Sequence, residues 1–429
     1  MKRFAIALCM IAACCDALAA STSSVSKSGV EALGAERFID TIGINIHVNY
    51  TDGSYADVGK VGDRLQWLGV THVRDNTPGH SAPLSSYVYL AKRGIKYTFI
   101  VTDDFAGSLD KYRQIEAQAP GSIVAIEGFN EINNWPVKYA GLTGQDAGLA
   151  GQKALYELVR RTPALARLPV YDLTGYDAKP VRTRAGSADF ANNHAYPQNG
   201  QQPNYDQWGS VWIDWAFGDL RKFKLPLVMT EFGYFTVPQS GWNVIGVDEA
   251  TQAKGTLNGL LDSVNTGISR TYIYELLDEK PDPQHLDSGM HFGLFNVDHS
   301  PKVSARALRN FILILKANDT VAENGSANGR MSFTLSDWPV SARYLLMQKK
   351  DGRFVLALWN EVPFWDRATG KPIDSPPIKV PLDFGKTARV VSVYDPLSGT
   401  APAVTQRNVA QATIEVPDHP VLVEVTFPD

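Results

Sequence analysis

Ile123-Val-Ala-Ile-Glu-Gly-Phe-Asn-Glu131 is an apolar run that stops at a carboxylate, and one hundred positions later Pro226-Leu-Val-Met-Thr-Glu-Phe-Gly-Tyr234 repeats the form with Glu231 near its end. Carboxyls at the ends of buried strands are costly to desolvate, so a fold that places two of them there has a chemical use for them. Working outward, strand-like runs lie at 42–48, 70–74, 97–102, 123–130, 169–173, 189–196, 226–231 and 271–276. Between them apolar residues fall at helical spacing, as in Val58, Val61, Leu65 and Leu68, then Leu155, Leu158 and Val159, then Leu257, Leu260, Leu261 and Val264. Strand-helix alternation repeated eight times predicts an α/β chain folded as a (β/α)8 TIM barrel rather than an open doubly wound sheet. No Gly-rich phosphate fingerprint follows the first strand, which agrees.

Leu308, Phe311, Ile312 and Leu315 predict a closing helix. Beyond it the pattern changes to short strands at 331–335, 344–348, 354–359, 378–382, 388–394, 412–416 and 421–427, separated by Gly, Pro and Asp turns. With no helices among them they predict a C-terminal antiparallel β-sandwich. The expected division is a leader over 1–19, a polar N-terminal linker segment over 20–38, a barrel over 39–318 and an accessory sandwich over 319–429. Residues 29–38 can add a strand or helix to the sandwich.

The chain has 429 residues with 44% hydrophobic and 20% charged content, which excludes disorder and collagen-like repeats. Met1-Lys-Arg3, an apolar stretch to Cys15 and Ala17-Leu-Ala19 form the three regions of a secretory leader, so the mature chain is expected outside the cytoplasm, secreted or periplasmic. Ile11-Ala-Ala-Cys14 allows a second reading, lipid anchoring at Cys14. All three cysteines lie in this leader, which argues against thiol catalysis and Cys-ligated zinc. The formal charge of −4 gives no attraction for nucleic acid, and no stretch reaches the length of a membrane span. No His-x-His or His-Glu-x-x-His is present, so neither metal nor cofactor is expected.

In a barrel the groups that do chemistry sit at the C-terminal strand ends, so Glu131 on strand four and Glu231 on strand seven would face one cleft. Two such carboxyls suit glycoside cleavage, with Glu231 as an ionised nucleophile and Glu131 as acid/base, its pKa raised by a less polar setting. Arg74 and Tyr196 are suitable neighbours for Glu231. Glu127 shares strand parity with Glu131 and is expected as a buried partner of Arg74. His47, ending strand one, and Glu275, ending strand eight, are candidates for substrate contact, while Trp135 and Trp242 on loops could stack on sugar faces. The connection from Asp278 to Ser300 is long enough to form a cleft wall or lid.

Asn130-Glu131 with Thr230-Glu231-Phe-Gly resembles clan A of the glycoside hydrolases, over roughly residues 39–316. The resemblance implies a retaining (β/α)8 enzyme with acid/base and nucleophile glutamates after strands four and seven. It also implies that Asn130 bonds the sugar 2-hydroxyl, and that Arg74, His194 and Tyr196 surround the nucleophile. The attached β-domain and the Glu127-Gly-Phe-Asn-Glu131 text are similar to family 39-type enzymes, including secreted bacterial exopolysaccharide hydrolases. The chain departs from many clan members at Tyr272-Ile-Tyr-Glu-Leu-Leu277, which lacks their usual tryptophan. The expected activity is hydrolysis of a β-linked poly- or oligosaccharide without an obligate protein partner; the alternative is a carbohydrate-binding protein on a degenerate barrel.

Overall fold

The computed structural model describes residues 22–204, 212–237, 246–316 and 329–428. Eight parallel strands form the barrel: Ile42–Asn45, His72–Asn76, Lys96–Ile100, Ile123–Glu127, Val170–Tyr171, Ala191–Ala195, Leu227–Phe232 and Ile268–Ile273. Strand one pairs with strand eight through Tyr272 opposite Gly43, and strands five and six meet in the single bridge Tyr171–Phe190, which closes the ring. Every run read as a barrel strand lies within three residues of an observed one.

The outer helices form for local reasons. In Val58–Leu68 the Asp57 side chain accepts from Lys60 N at 3.1 Å, and Val61, Leu65 and Leu68 face inward on one stripe. Such a cap contributes about 1 kcal/mol. One expected helix is absent: no helix lies between strands five and six, where residues 172–190 run as turns and loop. Gly175, Pro180 and Gly186 interrupt any helical stripe there, and the Arg184–Asp172 ion pair at 2.6 Å pins the loop instead.

The barrel interior is layered. Ala125, Tyr171, Val228 and Tyr272 fill its lower part as one apolar cluster, with Tyr272 OH bonded to Thr98 Oγ1 at 2.7 Å. Above them, towards the C-terminal strand ends, Asn45, Arg74, Glu127, Asn192 and Thr230 form a buried polar layer.

The second domain is a β-sandwich in which one strand serves both layers. Ile378–Tyr394 was expected as two strands with a turn between them. It is continuous, with a register shift between Asp383 and Ala388. Its first half pairs with Arg330–Pro339 and its second half with Val421–Thr426, while Val404–Val416 runs along both. Phe354–Asn360 and Ala342–Gln348 extend the Val421–Thr426 side.

Residues 22–28, expected as polar linker, belong to a strand, Thr22–Glu31, antiparallel to Arg330–Pro339; within 29–38, where an added strand or helix was expected, Leu33–Gly34 pairs with Ala342–Gln348. Thr22–Glu31 lies at the sheet edge and is held by backbone pairing, so it needs few apolar side chains. On the opposite face, Met347, Val355, Ala357, Trp359 and Leu422 join the cluster formed by the barrel helices' Leu257, Leu261, Leu308 and Phe311. Lys254 Nζ bonds Asp418 Oδ2 at 2.7 Å across the same junction. Among the described residues no helix is long and apolar enough to cross a membrane.

Candidate active site

The C-terminal end of the barrel opens into a cleft of about 890 Å³. Its base is built around Arg74, which the second strand holds with 2% of its surface exposed. Nε and Nη2 donate to Glu127 at 2.7 and 2.8 Å, Nη1 donates to Glu231 Oε1 at 2.5 Å and to Asn45 Oδ1 at 2.9 Å, and Nη2 donates to Asn130 Oδ1 at 2.7 Å. A guanidinium with all its hydrogens directed in this way fixes four acceptor side chains at once, a planar fork that lysine does not offer. Glu127 also receives Asn192 Nδ2 at 3.2 Å and Thr230 Oγ1 at 3.1 Å, so it is the buried partner of Arg74.

Glu231 ends the seventh strand with Tyr196 OH donating to Oε2 at 2.5 Å. Burial, followed by the Glu231 charge, pushes the Tyr196 phenol well above its usual pKa, so it remains a donor. A register shift between Asn193 and His194 in the pairing of strands six and seven sets His194 opposite Glu231. The His194 ring then lies between the two glutamates, with Nδ1 2.8 Å from Glu131 Oε1 and 3.4 Å from Glu231 Oε2, and Nε2 3.1 Å from Thr230 Oγ1. One oxygen of each glutamate and one His194 nitrogen all fall within 4.8 Å of one another. These three could hold a metal, although hydrogen bonds from Arg74, Tyr196 and Asn134 already occupy the carboxylates.

Glu131 follows strand four in a left-handed conformation, φ 41°, which costs about 1 kcal/mol or more for a residue with a side chain. Its N–H donates to Thr174 Oγ1 at 2.8 Å, and its carbonyl receives Asn134 N and Trp135 N at 2.9 and 2.8 Å. Gly175, φ 80°, passes so close that a Cβ there would meet the Glu131 backbone at 2.9 Å.

Glu131 was expected to titrate high. Burial does raise it, but the His194 hydrogen bond and charge, the Asn134 amide at 2.9 Å and the Arg74 charge outweigh burial and hold Glu131 at about 2.

Asn130, Trp135 and His47 line the cleft as expected, Trp135 with 68% of its surface exposed. Trp242 lies outside the described residues. Glu275, a candidate for substrate contact, does not line the cleft: it is fully buried behind the wall, where its Oε2 accepts from Tyr55 OH at 2.9 Å. The aromatic lining that sequence reasoning missed is Tyr50, Phe235, Tyr274 and Phe292. Tyr274 directly follows strand eight, and Phe292 comes from the long connection, which serves as a wall. On this flank burial pushes Asp75 up to about 7, and burial followed by the Glu275 charge does the same to Glu279.

No protein-family model matches the chain, and no curated protein is similar to it in sequence. Solved structures do match its fold. A GH39 enzyme from Xanthomonas axonopodis pv. citri superposes with a TM-score of 0.53 at 16% identity, over 94% of this chain and 96% of that one. A monomeric β-xylosidase from Caulobacter crescentus CB15 gives 0.52 at 15% identity, over 94% and 98%. Barrel and β-domain are covered together in both, so the chain shares its fold, a TIM barrel with an attached β-domain, with these two enzymes.

Proposed function

We propose that the protein is a secreted, retaining glycoside hydrolase acting on a β-linked poly- or oligosaccharide, with Glu231 as nucleophile and Glu131 as acid/base. The observation that carries this reading is the approach of the two carboxylates to within 4.8 Å at the ends of strands four and seven. Double displacement uses carboxyls about 5–5.5 Å apart, whereas direct displacement by water needs about 6.5–9.5 Å. A chain of the same fold is named a β-xylosidase, which supports a β-linked substrate.

Glu231, held by Arg74 and Tyr196, attacks the anomeric carbon and forms a glycosyl ester as the bond to the leaving oxygen breaks. The leaving oxygen takes a proton from Glu131. Because the free protein keeps Glu131 ionised, that proton is drawn from the Glu131–His194 pair along the 2.8 Å Nδ1···Oε1 contact. Sugar filling the cleft removes water from Glu131 and strengthens the burial effect that favours its neutral form. In the second step Glu131 deprotonates water, which attacks the ester and restores Glu231. Asn130, with Oδ1 taken by Arg74, keeps its Nδ2 hydrogens for the sugar 2-hydroxyl. Trp135, Tyr50 and Tyr274 offer rings to the sugar C–H faces.

The test is to incubate the protein with β-linked polysaccharides and follow the first-formed anomer by NMR. Release of the β-anomer is expected. Release of the α-anomer defeats the retaining mechanism, and glycan binding without new reducing ends favours the non-catalytic binding protein.

A further inference from the structure

The geometry points to a divalent-metal site behind the strand-one and strand-eight wall of the cleft, formed by His47, Glu275 and Glu279 and suited to Zn²⁺ or Mn²⁺. One ligating atom from each residue lies within 4.8 Å of the other two. Ligands about 2.0–2.2 Å from a zinc ion stand roughly 3–4 Å apart, and His47 Nε2 is 3.2 Å from Glu275 Oε2. That approach lacks hydrogen-bond geometry. Neither ring nitrogen of His47, 8% exposed, has a hydrogen-bond partner, nor does Oε1 of Glu275, 0% exposed. Polar atoms left unpaired this deep cost free energy, and an ion bound to the imidazole acceptor nitrogen and to Oε1 would recover the share that belongs to those two atoms.

Among the described residues no cation bonds directly to this cluster. Arg74 is fully engaged, Lys302 Nζ bonds Asp278 Oδ1 at 2.7 Å, and Lys280 Nζ bonds Asp52 at 2.6 Å. The stretches 205–211, 238–245 and 317–328, outside the described residues, contain no lysine or arginine. One imidazole with two carboxylates is a transition-metal donor set rather than the all-oxygen cage of Ca²⁺. Tyr55 OH on Glu275 Oε2 provides an outer-shell hydrogen bond of the kind that orients metal ligands.

The ion would tie the end of strand one to the connection after strand eight. It would thereby fix Tyr50, stacked on His47 at 4.5 Å, and Tyr274, edge-on to His47 at 5.6 Å, both of which line the cleft. It takes no part in bond cleavage, and the inference does not depend on the hydrolase reading.

The experiment uses the full chain, stripped with chelator and titrated calorimetrically with Zn²⁺ and Mn²⁺, with melting followed in parallel. One equivalent is expected to bind and raise the melting temperature. Glu279 is partly exposed, so Glu279→Gln should keep the native circular dichroism while weakening affinity by at least about 100-fold, the upper range for loss of even an outer-shell partner. Glu131→Gln should leave affinity unchanged, because it alters only the other His–Glu cluster. No saturable uptake, uptake of Ca²⁺ alone, unchanged affinity in Glu279→Gln, or loss of binding through Glu131→Gln would each overturn the assignment.

Discussion

The two flanks of the cleft bury acids to a similar depth and treat them differently. On the flank of strands two, four, six and seven, Glu127 and Glu231 share Arg74, and Glu131 meets His194, Asn134 and Arg74. On the flank of strands one and eight, Glu275 and Glu279 lie beside a histidine whose nitrogens have no hydrogen-bond partner. The difference teaches where charge is compensated from within the chain. A carboxylate held by fixed donors is organised in advance for one charge state, whereas an uncompensated cluster must take up protons or an ion.

The largest break in this comparison should come from Glu131 and Glu231, the proposed acid/base and nucleophile. Glu231→Ala and Glu131→Ala are each expected to lower kcat on the order of 10³-fold or more with melting temperature nearly unchanged, and azide should restore part of the rate. Near-native turnover in either variant removes the mechanism. Next comes Arg74→Met, which strands Glu127 and Glu231 without their cation and should cost about 3–5 kcal/mol of stability in urea unfolding.

A smaller effect should be readable as pH dependence. Glu131 titrates at about 2 in the folded chain against an ordinary 4.5, so its contribution to stability is full above pH 4.5 and is lost as pH falls towards 2. His194→Ala removes the main cause of that depression, and the difference in urea midpoint between variant and parent should shrink across this window. A constant difference would refute the pairing. The smallest effect belongs to the other flank: in chelator-treated protein Glu275→Gln should change stability by under about 1 kcal/mol, since Oε1 has no partner to lose. A loss comparable to that of Arg74→Met would mean that both flanks are compensated alike.

The barrel was legible because each strand is a short apolar run with helical spacing between runs, and strand ends carry the chemistry. Arg74, Glu131, His194, Tyr196 and Glu231 converge in space for that reason. Four features were missed. Residues 22–28 of the strand Thr22–Glu31 read as linker because an edge strand needs backbone pairing more than apolar side chains. The Asp383–Ala388 segment reads as a turn because a bulge and a turn draw on the same residues. The missing helix between strands five and six was announced by Gly175, Pro180 and Gly186, but the regular alternation on either side outweighed them. The meeting of His47 with Glu275 and Glu279 carries no spacing motif at all. Barrel closure makes strands one and eight neighbours, so joining the two ends of the list of strand-terminal residues would have found it.

Trp365, from the sandwich domain, packs in one cluster with Ala195, Phe217 and Tyr234 of the barrel. A Cβ at Gly200, on the rim of the cleft, would come within 2.5 Å of its ring. The accessory domain therefore acts as a buttress for one lip of the groove. Whoever trims this chain to its barrel, or grafts the barrel onto a foreign partner, inherits a collapsed lip unless the segment around Trp365 travels with it.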